Sequence, residues 1–445
     1  MAGAKRDKQP LGRLAGTVLS ALLLFPGCSR SPVSDLTDRQ NELDRAWQQQ
    51  ATMPAPTEVV EIAWTDAVEN LLQDNFELRR AREDVRRAHR QIGQVYRDLL
   101  PTPYFHVRMT EELSALDQLA WEDLDFNLNA FLTLSGLFRL PEDLYTARLV
   151  YLRSQLVYKA LLREKLTRLR VAYGTAQLLD QVQQAGDLIQ ELTAAWPPHK
   201  RGSWMRRQQV IERQWREQDL QLQSEIQTLL GRQDVVYRLS NDDLPPLDYL
   251  RDDYGLENVD RVAVLARQLA ATELLGAAAL VEGAALRHWP RFDLFFSSPA
   301  LFRRTNGQSG WLQVEDIYVS AGLYHSLDLS GRRAAGLADA KVDQAFIEEK
   351  IVKDQTNLVA EIRQHLTTLD SLNAEISTEE RTLTWLIHIL SLEGPESWEK
   401  RIGQYLATSE SLLTLRRELL RTQAVLLFHD EQFWARTNVS PPASF

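Results

Sequence analysis

Residues 123–134 read DLDFNLNAFLTL. Leu124, Phe126, Leu128, Ala130, Leu132 and Leu134 alternate with Asp123, Asp125, Asn127, Asn129, Phe131 and Thr133, and a period of two puts each set on its own face of a strand. One face is apolar; the other carries Asp and Asn. A tilted strand of about 9 to 11 residues crosses a bilayer, so the stretch is long enough to span, with Asp123, Asp125, Asn127 and Asn129 suited to a water-filled lumen. The same alternation also builds one side of a soluble sandwich, so the surrounding sequence has to decide.

Outside this stretch the chain reads mostly as helix, in one pattern run twice. In the first copy a helix opens at an N-cap Thr65, with Asp66 in its first turn, and runs to Leu100, where Pro101 and Pro103 end it. Two strands follow, Tyr104 to Thr110 and Asp123 to Leu134. From Glu142 to Trp196 about 55 residues lack proline, and Leu144, Ala147, Leu149, Leu152, Leu156 and Leu161 recur at helical spacing. Pro197, Pro198 and Gly202 then force a turn, and a last helix runs from Ser203 to Gly231. The second copy repeats the order: a helix from Asn258 to Pro290, strands at Arg291 to Ser297 and Ile317 to Leu323, a helix from Gly331 to Ser391, a break at Gly394 and Pro395, and a final helix from Gln404 to Asp430. Pro101 and Pro290 hold matching places roughly 190 residues apart.

The N-terminus carries an export pattern. Lys5, Arg6, Lys8 and Arg13 precede an apolar run from Val18 to Phe25 that is too short to span. It ends at Phe25, Pro26, Gly27, Cys28, which resembles the cleavage and acylation site of bacterial lipoproteins; Cys28 is the single cysteine and has no disulfide partner within the chain. Ser29 after it is the residue type that sends such lipoproteins to the outer membrane. One acyl chain anchors weakly, so stable attachment needs a second element in the membrane. Loss of residues 1–27 removes four basic residues and Asp7, taking the formal charge from −10 to −13. An acidic exported chain is a poor partner for nucleic acid. The expected organisation is a signal peptide at 1–27, a lipidated tether at 28–57, a first repeat at 58–232, a linker at 233–257, a second repeat at 258–430 and a tail at 431–445.

Element lengths point to one architecture. In each copy the two shorter helices together match the long one, as they would if stacked end to end beside it. At 1.5 Å per residue a long helix reaches about 80 to 90 Å, far beyond the needs of a globular core, and helices of that length hold register in a coiled-coil-like wall. Four strands cannot close a barrel, and open edges are not tolerated in lipid. Several copies would therefore have to share one.

The residues at this point resemble the TolC-like outer-membrane efflux and secretion channels. WTDAVENLLQDNFELRRAR, Trp64 to Arg82, is similar to that family's opening helix through Ala67, Leu71, Leu72, Asn75, Glu77 and Leu78, with Phe76 where the family has proline. Leu100 and Pro101 before a strand, LLG at 229–231, LAATELLGAAAL at 269–280, and Leu327, Gly331 and Arg332 within GLYHSLDLSGRRAAGLADAK also resemble family landmarks. The resemblance implies a homotrimer with a shared twelve-stranded barrel in the outer membrane, continuous with a long α-helical barrel in the periplasm. A periplasmic adaptor protein and an inner-membrane pump would dock on the helical tips.

Nothing in the sequence reads as catalytic or as a cofactor or metal site: there is no HExxH, CxxC, Walker loop or GxSxG. An enzyme is not expected, and energy for transport would come from partners. The turns at the helix ends are the candidate docking or gating sites. One carries His199, Lys200, Arg201, Arg206 and Arg207; the other carries Glu393, Glu396 and Glu399. The reading is a passive conduit, the exit duct of a tripartite efflux or type I secretion system, gated at its periplasmic end. A periplasmic adaptor lipoprotein or a non-conducting helical scaffold lipoprotein are the alternatives.

Overall fold

A computed structural model describes residues 39–45, 58–100, 102–109, 124–194, 213, 216–232, 234–240, 264–286, 291–297, 302–305, 308–311, 318–324, 328–392, 398–431 and 434. Contacts divide the chain into a unit that holds the sheet, drawn from Met1–Pro54, Gly93–Leu144 and Gly283–Ala335, and a helical unit, drawn from Ala55–Ile92, Tyr145–Glu282 and Gly336–Phe445.

In chain order the elements are β1 (Glu58–Ile62), α1 (Trp64–Asp74), α2 (Phe76–Arg97), β2 (Thr102–Met109), β3 (Leu124–Thr133), α3 (Leu134–Ala194), α4 (216–230), β4 (Val235–Leu239), α5 (Val264–Leu286), β5 (Arg291–Ser297), β6 (Phe302–Thr305), β7 (Gln308–Trp311), β8 (Tyr318–Tyr324), α6 (Arg332–Leu392) and α7 (Trp398–His429). The two long helices are each 61 residues.

Several boundaries differ from the sequence reading. The first helix is capped by Ala63 rather than Thr65 and breaks at Asn75 into α1 and α2. Helix α3 begins at Leu134, directly after β3, and includes Pro141, whose ring removes the N–H that would bond the carbonyl of residue 137. The segment read as a linker holds β4. Four strands beyond the expected four are present: the pair β1–β4 and the hairpin β6–β7. Helix α5 is long and apolar enough to cross a membrane by length and composition, with a mean hydropathy of 1.5 in its most apolar window. Sequence inspection missed this because Arg267, Glu273 and Glu282 interrupt the apolar run without lowering its average much.

In the sheet unit, β2, β3, β5 and β8 form one antiparallel sheet in that order. In the helical unit, β1 and β4 pair in parallel, Glu58 opposite Val235 through Ile62 opposite Leu239. Helix α4 satisfies part of β4 from the side: Gln223 Nε2 donates to the Tyr237 carbonyl (2.8 Å) while the Tyr237 N–H donates to Gln223 Oε1 (3.0 Å). Gln227 Nε2 donates to the Val235 carbonyl at 2.8 Å.

Around this pair sits the main core of the helical unit. Tyr158, Leu162, Leu166, Leu169 and Tyr173 recur along α3 at three- and four-residue steps and pack with Trp64, Leu71, Leu78, Val85, Ile226 and Leu230. The Trp64 and Tyr173 rings meet edge to face at 5.4 Å. Tyr173 Oη donates to the Ile62 carbonyl (3.0 Å), and its burial, with Asp66 nearby, raises the phenol above the usual range. The helix break is held by one side chain. Asn75 is buried; its Oδ1 accepts from the Leu78 N–H (3.1 Å) as a cap for α2, and its Nδ2 donates to the Leu229 carbonyl at the end of α4 (3.0 Å). Gly231 follows with φ +72°, and a Cβ there would lie 2.7 Å from the Asp74 carbonyl oxygen. Only glycine fits this left-handed stop against α1.

Candidate channel-forming site

The sheet register makes two faces. Pro103, Phe105, Val107 and Met109 of β2 stand opposite Ala130, Leu128, Phe126 and Leu124 of β3. Ala130 and Leu132 stand opposite Phe296 and Leu294 of β5, and Phe292, Leu294 and Phe296 stand opposite Leu323, Ala321 and Val319 of β8. By strict alternation all of these share one face across four strands. On β8, Val319 and Leu323 of this apolar face are 61% and 67% exposed.

The other face collects polar positions. Asp125, Asn127 and Asn129 stand opposite Arg108, His106 and Tyr104 of β2; Asn129 stands opposite Ser297, and Thr133 opposite Asp293, on β5. Three of the four residues expected to line water therefore share a face, while Asp123 lies outside the described residues. The sequence reading overlooked Tyr104, His106 and Arg108, which alternate visibly in TPYFHVRM. Within the chain, β2 and β8 are each paired on one side only among the described residues. Among the described residues, both outer edges of the sheet thus keep unused backbone donors and acceptors.

The other site candidates are placed as follows. Cys28, His199, Lys200, Arg201, Arg206, Arg207, Glu393 and Glu396 lie outside the described residues, and Glu399 falls in the first turn of α7. What stands near the opposite end of α7 is a buried charge cluster in the helical unit. The Arg163 side chain is 2% exposed and pairs with Glu431 Oε2 at 2.6 Å; Lys159 Nζ reaches the same oxygen at 3.3 Å. The Arg163 guanidinium lies 5.8 Å from the Trp434 ring centre. Burial alone would raise the Glu431 carboxyl, but Arg163 and Lys159 outweigh it and hold the group below the usual carboxylate range. Burial lowers His429, against the pull of Glu361 and with help from Arg163 and His365. Among the described residues no cluster of three or more His, Cys, Asp or Glu is placed to hold a metal ion.

The described residues thus comprise long helices and a four-stranded antiparallel sheet with an apolar and a polar face. The fold is shared with bacterial outer-membrane channels. CusC, described for its folding and transmembrane channel formation, matches with a TM-score of 0.57 at 17% identity over 84% of this chain and 91% of its own. A membrane protein from Pseudomonas aeruginosa matches with a TM-score of 0.58 at 16% identity, over 82% and 91%. The open state of the MtrE outer membrane channel of Neisseria gonorrhoeae gives 0.54 at 16%, over 82% and 86%. No family model matches the chain, and none of the curated proteins does.

Proposed function

We propose that this chain is one subunit of an outer-membrane exit duct for a tripartite efflux or type I secretion system. The observation that carries the reading is the four-stranded sheet, apolar on one face and polar on the other, with both edges unpaired among the described residues. Such a sheet is incomplete in lipid until its edges are joined. Three copies would close twelve strands into a barrel, with the Phe/Leu/Val face toward lipid and the Asp125, Asn127 and Asn129 face toward water. The likeness to solved outer-membrane channels supports the same reading, and no observation favours the adaptor or scaffold alternatives.

The long helices would form the periplasmic barrel, and acylation of Cys28 would add a second membrane attachment. Two matched contacts support the twofold repeat: Glu77 of α2 meets Lys165 of α3 at 2.5 Å, and Glu273 of α5 meets Lys350 of α6 at 3.2 Å. At the helix turns, the basic set His199, Lys200, Arg201, Arg206 and Arg207 and the acidic set Glu393, Glu396 and Glu399 would hold the entrance closed and receive the adaptor and pump. The duct itself is passive and performs no catalysis.

Membrane fractionation followed by planar-bilayer recording tests the proposal. Discrete openings from a stable oligomer in the outer membrane are expected. A monomer released by salt, without conductance, would sink it.

A further inference from the structure

The polar face of the sheet carries a charge balance that one residue can tip. Arg108 stands directly opposite Asp125, near the end of β2 away from α2. Arg291 and Asp293 lie two places apart on β5, at its start after α5, and so share the face. The opposite face has no ionisable residue at any position of the four strands. With two arginines against two aspartates the polar face is formally neutral.

His106 is the one histidine of these four strands, and it holds a position on the same face, two places from Arg108 and directly opposite Asn127. Imidazole is the side chain whose ordinary pKa, about 6.5, falls between pH 5 and 8. The aspartates titrate below that range and the arginines and tyrosines above it. On its own strand the neighbours of His106 on this face are Tyr104 and Arg108; across on β3 they are Asp125, Asn127 and Asn129. The nearest carboxylate position, Asp125, already stands opposite Arg108. On its other side β2 has no partner among the described residues. The strand that would complete this edge in a shared barrel is β8 of the next copy, and YVSAGLY brings no charged residue in any register. Protonation of His106 therefore takes the formal charge of the face from zero to +1 per chain.

We propose that His106 is a specificity-determining residue of the duct: in its neutral form it leaves the barrel wall without net charge, and protonated it makes a positive ring toward the outer mouth that favours small inorganic anions over cations. Rings of charged side chains select ions by sign, and in about 0.1 M salt the field of such a ring reaches about 10 Å from the wall. The inference rests on the outer-membrane duct reading and adds to it a charge filter that follows the pH of the lumen.

The test is single-channel recording of the full chain in planar bilayers, under a potassium chloride gradient kept at or below about 0.1 M so that screening stays weak. The chloride-to-potassium permeability ratio should rise about twofold between about pH 8 and about pH 5.5, with its midpoint near 6.5. His106→Gln should hold the ratio at the natural chain's high-pH value throughout, and His106→Lys should hold it at the low-pH value throughout. Openings whose ratio does not move with pH, or a shift that survives His106→Gln, overturn the filter and leave the duct reading standing. A natural chain that gives no openings overturns both.

Discussion

Asn75 and Ala271 are each followed, after one residue, by a Glu-Leu pair, and they give opposite results. At Asn75 the helix stops and restarts; at Ala271 α5 runs through from Val264 to Leu286. The Asn side chain caps α2 and reaches the end of α4, whereas alanine offers no acceptor and has the strongest helix preference of any residue. Around the break lies a core of four helices and a strand pair. Around Ala271 the helix is mostly open: Leu275 and Leu280 are 42% and 70% exposed, and 17% of its most apolar window is buried. The break at Asn75 is covered by a core that reaches as far as Trp434, while α5 takes little cover from the chain it belongs to.

Substitutions made in pairs probe this difference. Glu431→Gln strands the buried Arg163 charge in the first-half core and should cost about 3 kcal/mol, while Glu273→Gln, which breaks the exposed pair with Lys350, should cost about 0.5 kcal/mol or less; urea melts of the solubilised chain compare them. Asn75→Ala removes two buried hydrogen bonds and should cost about 2 kcal/mol. Thr272→Ala, by contrast, loses only a bond from its hydroxyl to the Leu269 carbonyl (2.7 Å), and a change above about 1 kcal/mol would contradict the contrast. Gly231→Ala forces a side chain into the left-handed region against Asp74 and should cost about 1 to 2 kcal/mol. Gly276→Ala in α5 should instead stabilise by roughly 0.5 kcal/mol, since a Cβ there makes only ordinary contact with Leu149.

The smallest effect concerns pH. His429 is lowered in the folded chain by burial, so below about pH 6.5 the unfolded chain binds a proton that the folded one resists. Stability should therefore fall as pH drops from 7 to 5, and His429→Leu should flatten that slope in thermal melts. Glu431 adds a separate loss lower down: its carboxyl is depressed when folded, so its contribution is present at neutral pH and disappears as pH falls through the folded value.

Much of the sheet was legible in the sequence because alternation is local: Leu124 to Leu132, Phe292 to Phe296 and Val319 to Leu323 announce their shared face without knowledge of partners. Their register, and with it the company of His106 and Arg108, needed the pairing itself. Strand β1 was missed because EVVEI is five residues long and gains its strand character from β4, far along the chain. The hairpin β6–β7 had a usable signal, the Asn306-Gly307 turn dipeptide between FRRT and QSGW. The break at Asn75 was hidden because the long amphipathic pattern continues on both sides of it, and only the cap tells it apart from a continuous helix. Of the proposed site, the polar strand positions were readable from composition, while the Arg163–Glu431 pair, joining α3 to the chain just after α7, left no local trace.

The parallel pairing of β1 with β4 also sets an order of events. Roughly 180 residues separate Glu58 from Val235, and between them lie β2, β3 and all of α3. A contact of that sequence separation is slow to find and can close only after the intervening hairpin of helices has turned back. The five-residue strand that starts the first half is thus among the last pieces of it to lock.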